Sequence, residues 1–344
     1  MVLPKFQSQK TLQIHPSVFC NLSCSHCYSS SGPKQRRSSL GFEILKTTIS
    51  DAKALGYKVL SISGGEPLIY EGLFKLLSFA KSLNMTTTII TNGTIMDNQK
   101  IIQIKNFVDI VAISLDGPPV IHNRIRGSNT AFRDLVRTIN SLKKAGIKFG
   151  ILHTLTLENW ENILWTAKFA STNGASLLQV HPLEMTGRAT IKMNSEYPDN
   201  DILSRVYLLL LALKSKYRGS MRIQYDVVNI KDITKNPDLV CASDMDFKID
   251  QITLADLLNF LVIQENGSVI PISYGFSEKY QLCNIKNERL STIWPEYIQN
   301  NHYEKFRKLC KDLFNDITSK PNDLPFVNWY ELLLKKSYDY KDLD

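Results

Sequence analysis

Cys20, Cys24 and Cys27 stand at a CxxxCxxC spacing in the stretch Cys20-Asn21-Leu22-Ser23-Cys24-Ser25-His26-Cys27-Tyr28, directly after apolar Val18 and Phe19. The whole chain has only six cysteines, so this density points to metal ligation rather than to packing. A structural zinc site takes four ligands, and a plain [4Fe–4S] carrier also uses four cysteines. Three cysteines leave one iron open to an outside ligand unless His26 supplies the fourth bond.

A second motif, Gly64-Gly65-Glu66-Pro67, follows on the next expected strand. The two motifs, in this order and on these elements, resemble those of the radical S-adenosylmethionine (radical SAM) enzymes. The resemblance spans residues 12–217 and is weak beyond. It implies one [4Fe–4S] cluster on Cys20, Cys24 and Cys27, with SAM on the open iron through its amino and carboxylate groups. A reduced cluster then yields methionine and a 5′-deoxyadenosyl radical that takes hydrogen from an unactivated C–H bond. The protein's task is to hold the cluster, orient SAM and exclude water. An external electron donor of flavodoxin or ferredoxin type is implied as well.

The resemblance also assigns expected SAM contacts. Tyr28 matches an aromatic near adenine. Gly64 and Gly65 let the backbone approach the methionyl amine, and Glu66 accepts from that amine. Asn92, Ser114 and Asp116 are polar residues at strand ends, with Asn92 and Ser114 contacting SAM or capping the next turn. Arg126, before Gly127, matches an arginine that pairs with the SAM carboxylate, a fit for a guanidinium fork. His122 is either a proton-transfer group or a satisfied loop residue. Leu183 lies where the family backbone contacts adenine, and Arg188 is a further candidate ligand contact.

The elements that must position these residues form six strand-then-helix units. Strands are expected at Leu12–Phe19, Val59–Ser63, Thr86–Thr91, Val108–Leu115, Lys148–Leu157 and Ser176–Leu183. Helices are expected at Leu40–Leu55, Leu73–Leu83, 97–105, Thr130–Ala145, Trp160–Thr172 and Asp201–Tyr217. Repeated β/α units imply a parallel sheet with right-handed crossovers, here an α/β fold of partial (β/α)6 barrel type over residues 1–217. Every unusual residue then falls at a strand's carboxyl end, where such folds gather their chemistry.

Residues 218–344 read as a smaller α+β extension. Met221–Ile230 looks extended, and Leu261–Gln264 and Ser268–Ile272 flank Glu265-Asn266-Gly267 as a β-hairpin. Two helices are expected near Tyr303–Ile317 and Val327–Tyr338. The region resembles the SPASM/twitch extensions, whose cysteines hold auxiliary clusters, but with departures. Cys241 matches a first position, Pro271-Ile272-Ser273 lacks the cysteine expected after the proline, and Cys283 stands where glycine is usual. The extension is therefore read as degenerate and without an auxiliary cluster. The alternative is one cluster held by Cys241, Cys283 and a third group. Cys283 or Cys241 is a candidate hydrogen-atom donor, and Cys310 reads as a small core residue.

The chain has 344 residues and a formal charge of +8, which favours anionic partners. No apolar run reaches the ~18 residues of a membrane span, and Met1 to Lys5 lacks a signal peptide's apolar core. A cytoplasmic protein is expected. There is no run of five or more basic residues and no basic-aromatic repeat, so nucleic acid is an unlikely partner. The extension points to modification of a ribosomally made precursor peptide by crosslinking, epimerisation or splicease-like excision. Nothing like a peptide-recognition domain precedes residue 12, so a separate leader-binding partner is expected. The alternatives are a radical SAM enzyme acting on a sugar, cofactor precursor or lipid, and a non-catalytic metal-binding module that binds nucleic acid.

Overall fold

The computed structural model describes residues 10–241, 252–319 and 325–339. Ala242 and Ser243 of the Cys241 motif, and the first nine residues, lie outside them. The chain begins with β1 (Thr11–Ile14) and α1 (Phe42–Ala54), then β2 (Val59–Ile62), α2 (Leu73–Ser82), β3 (Thr86–Thr91) and α3 (Asn98–Ile104). β4 (Ile110–Ser114), α4 (Pro119–Arg126), α5 (Ala131–Ala145), β5 (Phe149–Leu155), α6 (Ile163–Thr172) and β6 (Leu177–Pro182) follow. Next come α7 (Ala189–Lys192), α8 (Asn200–Lys216), β7 (Arg222–Tyr225), β8 (Val228–Asn229) and α9 (Ile230–Lys235). The chain continues through α10 (Leu254–Leu257), β9 (Phe260–Ile263), β10 (Ser268–Pro271), β11 (Cys283–Asn284) and α11 (Leu290–Gln299). It ends with α12 (His302–Thr318), β12 (Phe326–Val327) and α13 (Trp329–Asp339).

One sheet of ten strands runs β11-β10-β9-β1-β2-β3-β4-β5-β6-β7. All neighbours from β1 to β7 are parallel. Among the described residues β7 and β11 are its edges and do not pair with each other, so the barrel is open. This is the expected α/β architecture. Of the strands after Tyr217, β8 and β12 pair with each other, and the others join the same sheet: β7 pairs with β6, and β9 lies parallel to β1 with Thr11 opposite Phe260. The hairpin is therefore built directly onto the first strand. Tyr57 donates to Leu258 O at 2.6 Å, and Arg289 Nη2 reaches Asp51 Oδ1 at 2.6 Å, so α1 is tied to the C-terminal part. One continuous apolar core joins Leu12 and Ile14 to Leu261, Phe306 and Leu333.

Local chemistry explains the elements. All four residues of β2 are buried, as a parallel strand covered on both faces requires. Leu135, Ile139 and Leu142 form the buried stripe of α5, each worth about 1.5–3 kcal/mol of burial. Gly146 ends that helix in the left-handed region at φ 70°, which costs a glycine nothing.

Three expectations shift. β1 stops at Ile14 rather than Phe19, because Pro16 has no N–H for the ladder and Ser17–Phe19 turn aside to carry the cysteine loop. Residues 119–126, expected as loop, form α4, started by Pro119 and ended by Gly127 at φ 63°. His122 is therefore a helical residue, fully buried. Leu290–Gln299 is a further helix, α11, despite Pro295 within it.

Candidate active site

The residues of the cysteine loop, the Gly-Gly turn and the strand-end motifs up to Leu183 lie at the carboxyl end of the parallel strands. The cysteine loop leaves β1, the Gly-Gly turn leaves β2, Asn92 follows β3, Asp116 follows β4 and Leu183 follows β6. Cys20, Cys24 and Cys27 pack together with Leu22, and all three are free thiols. Cys20 and Cys24 are buried, and Cys27 is partly exposed.

Each sulfur faces its own donor. Leu22 N lies 3.4 Å from Cys20 Sγ, and Asn92 Nδ2 lies 3.7 Å from the same atom. Ser31 N is 3.2 Å from Cys27 Sγ, and Arg126 Nη1 is 3.7 Å from Cys24 Sγ. Burial, with Glu66 nearby, pushes the Cys20 thiol up to about 12. Burial raises Cys24 too, against the pull of Arg126. Metal ions displace such protons. A trio of clustered free thiols, each with an N–H donor, suits a three-cysteine iron–sulfur cluster.

The glycines serve the approach of the loop itself. Gly65 N donates to Ser17 O at 2.8 Å and Glu66 N to Phe19 O at 3.0 Å. A Cβ on Gly65 would sit 2.0 Å from Phe19 O, and one on Gly64, at φ 104°, would sit 2.7 Å from Ser17 O. The side on which a side chain is missing faces the cysteine loop. Glu66 is 3% exposed. Its Oε1 accepts from Thr91 Oγ1 at 2.7 Å and Leu68 N at 3.2 Å, and its Oε2 from Asn92 N at 2.9 Å. One direction on Oε2 is thus left for a further donor. Burial raises its pKa against these bonds.

Asn92 is turned into the protein: Nδ2 also meets Asn21 Oδ1 at 2.9 Å, and Oδ1 accepts from Thr94 N at 2.9 Å. Asp116 is fully buried and is the centre of a charge cluster. It accepts from Arg126 Nε at 2.6 Å and Nη2 at 3.2 Å, His26 Nε2 lies at 3.3 Å, and its backbone N–H donates to His122 Nδ1 at 3.2 Å. Burial pushes its carboxyl up, but Arg126, His26 and His122 outweigh it and hold the group well below the usual carboxylate range. His26, the possible fourth metal ligand, thus spends Nε2 on Asp116. Ser114 ends β4 half-buried. Leu183 is buried, its N–H given to Leu155 O at 2.9 Å.

Cys241 and Cys283 are not brought to this loop. Cys283 pairs opposite Val269 and is 3% exposed, with its thiol pushed up to about 12 by burial, then Glu288 and Asp51. Cys241 adopts φ 55°, and burial with Asp238 raises it to about 11. Its charge is felt at Cys310 and Tyr303 of α12. The groups acting on the two thiols differ, and neither set includes the cysteine loop.

Arg188, expected as a ligand contact, spends its guanidinium on the protein, and Glu184 and Tyr274 join the site with little or no sequence signal. Arg188 binds the cysteine loop by three carbonyls: Cys24 O at 2.8 Å, Ser30 O at 3.1 Å and Ser31 O at 2.7 Å. Gly187 allows this, since a Cβ there would lie 2.1 Å from Tyr28 O. Tyr274, from the turn after β10 where a cysteine was expected, stacks on His15 at 4.8 Å and edges onto Tyr28 at 5.5 Å. Tyr28 in turn bonds Ser63 at 3.3 Å. Glu184, next to Leu183, is pushed up to about 7 by burial, then by Glu331 and Asp226, and its charge reaches the Tyr28 phenol. Glu331 comes from α13 and accepts from Met185 N at 3.3 Å. Asp226 accepts from Gln179 at 2.6 Å and Gln224 at 2.9 Å. The sequence hint for Glu184 was its place at a strand's carboxyl end; Tyr274 carried none.

Comparison with known proteins agrees with this geometry. Residues 14–170 match the radical SAM superfamily. The AdoMet-dependent heme synthase of Oleidesulfovibrio alaskensis is 26% identical over 84% of this chain and 74% of its own length. The sporulation killing factor maturation protein SkfB of Bacillus subtilis is 28% identical over 50% of this chain and 42% of its own. Streptococcus suis SuiB bound to S-adenosylmethionine superposes with a TM-score of 0.66 at 19% identity, over 87% of this chain and 68% of that one. The structure of anSMEcpe with bound AdoMet gives 0.64 at 19% identity, over 96% and 92%. The last two likenesses are of fold. Among the described residues no helix is long and apolar enough to cross a membrane. With three clustered thiols at the mouth of the open barrel, residues 14–170 form a domain that matches the radical SAM superfamily, a family whose cofactors are a [4Fe–4S] cluster and SAM.

Proposed function

We propose that this enzyme removes a hydrogen atom from a residue of a ribosomally made precursor peptide. Cys20, Cys24 and Cys27 hold the cluster. Gly64, Gly65, Glu66, Ser114, Tyr28 and Leu183 would line the SAM pocket, where Glu66 Oε2 would accept from the amine. When bound, the cluster and SAM supply one-electron reductive cleavage and a carbon radical. The chain's own part is to hold the cysteine loop by Arg188, wall the pocket with Tyr28, Tyr274 and His15, and keep water out.

The observation that supports the substrate class is the Glu184 carboxyl near Tyr28, with Asp226 and the Lys335-paired Glu331 behind it. A basic peptide segment meets favourable charge there, whereas a substrate rich in carboxylates meets like charge. Among maturation proteins, SkfB and the mycofactocin maturase MftC are relatives at 28% identity. A second reading, modification of a tetrapyrrole or other small cofactor precursor, is favoured by the longer alignment to the heme synthase. A separate leader-binding protein and a flavodoxin- or ferredoxin-type donor complete the proposal.

The test is anaerobic incubation of the reconstituted enzyme with SAM and a reductant in D2O, once with peptides encoded beside its gene and once with iron-coproporphyrin. Mass spectrometry reads the products. A peptide mass lower by two reports crosslinking, a gain of one reports epimerisation, and a large loss reports excision. Decarboxylated porphyrin with unchanged peptides overturns the peptide reading.

A further inference from the structure

Arg126 has three side-chain nitrogens, and the protein engages all of them. Nε and Nη2 form a fork on the carboxylate of Asp116, at 2.6 and 3.2 Å. The third, Nη1, stands 3.7 Å from Cys24 Sγ. Arg126 and Asp116 are 7% and 0% exposed, so these bonds lie away from water and keep their strength. Among the described residues, the other two thiols receive backbone N–H donors, from Leu22 and Ser31. The donor to Cys24 Sγ is the guanidinium. The Nε/Nη2 edge of the guanidinium, one of the edges that would suit a ligand carboxylate, is filled by one the protein supplies.

We propose that Arg126 is a positioning residue for the Cys24 thiolate and sets the reduction potential of the cluster. It does not act as a clamp for the SAM carboxylate. Reduction adds negative charge that is spread over the cluster and its thiolate ligands. A cationic N–H aimed at one of those sulfurs stabilises the reduced form more than the oxidised one and so raises the potential. Asp116 fixes the direction of that N–H, as outer partners of metal ligands do. Part of the guanidinium charge is offset by the carboxylate. What remains at the sulfur is a directed dipole that an arginine elsewhere on the surface could not supply.

The inference rests on Cys20, Cys24 and Cys27 holding the cluster, and the experiment separates the two claims. Arg126→Gln and Arg126→Lys would be reconstituted anaerobically beside the unaltered protein, with iron and sulfide counted. The cluster potential would be read by EPR-monitored redox titration without SAM, and SAM affinity measured separately by equilibrium dialysis. Glutamine removes the cation, and lysine keeps a charge that Asp116 draws away from the sulfur. Both are expected to lower the equilibrium constant for reduction about tenfold, a shift of ~59 mV for a one-electron couple, with SAM affinity changed less than threefold. If glutamine prevents cluster assembly, lysine gives the same reading. Unshifted potentials with SAM binding weakened tenfold or more would make Arg126 the carboxylate clamp and overturn the proposal, as would unshifted potentials with unchanged binding. Failure of the unaltered protein to take up a full cluster would instead overturn the cluster assignment.

Discussion

Removing the Arg188 side chain should loosen the cysteine loop without unfolding the barrel. In the native structure the guanidinium holds three carbonyls of that loop, Cys24 O, Ser30 O and Ser31 O, at 2.8, 3.1 and 2.7 Å. Hydrogen bonds to a charged group are worth about 1.5–3 kcal/mol each. They share one side chain, and water can reach a half-buried site, so the three do not sum. A loss of about 3 kcal/mol in holding the loop closed is the reasoned value for Arg188→Ala. At 1.4 kcal/mol per factor of ten, the open loop becomes about 100-fold more populated. If cluster release passes through that opening, loss of iron to a chelator should quicken by about the same factor. The assay is anaerobic reconstitution, iron and sulfide counting, then chelation followed by the fading of the visible absorbance. The melting temperature should fall only modestly, because the opening is local. Arg188→Lys, able to reach one carbonyl at a time, should fall between the two. Iron release at the native rate from Arg188→Ala would refute the reasoning, because the guanidinium would then contribute nothing to holding the loop.

Two further outcomes follow from the same geometry. Gly65→Ala should abolish stable cluster binding, because the new Cβ would lie 2.0 Å from Phe19 O and 2.6 Å from Phe19 C, and backbone must move; iron counting beside Gly41→Ala, whose Cβ meets nothing within 4 Å, checks it. Glu184 carries a raised pKa, about 7, from burial and its acidic neighbours, so ionising it opposes folding: its contribution is present below about 4.5 and lost as pH rises through 7. Glu184→Gln should therefore match the native protein near pH 4.5 and exceed it above pH 7. The full shift corresponds to no more than about 3 kcal/mol, and about 1–2 kcal/mol is expected once solvent contact at the rim is allowed for. Urea midpoints at both pH values read this, and a gap that does not vary with pH contradicts it.

The legible part of this protein was local. The β-branched run Thr86–Thr91 forms β3 at the expected bounds, and the stripe Leu45, Ile49, Ala52 is the buried face of α1. Such periodicity is a property of neighbours along the chain. The hairpin around Gly267 was equally clear from its turn residues. α4 escaped notice because it is short and polar, and its amphipathic pattern is carried mainly by His122, Ile125 and Arg126. Periodicity needs more residues than that to declare itself.

By itself the sequence determined the order of strands and helices, the three thiols at cluster spacing and the placement of reactive residues at strand ends. These follow from spacing within a few turns of chain. Only the tertiary structure decided what those residues touch. Arg188 lies 164 positions from the Cys24 carbonyl it binds, and Tyr274 reaches His15 because β9 pairs with β1. Arg126 turns to Asp116 and Cys24 because the cysteine loop after β1 reaches the end of α4, where Ser25 N donates to Ile125 O. Such partnerships are set by sheet order and by the need to pair every buried charge. Neither constraint leaves a periodic trace along the chain.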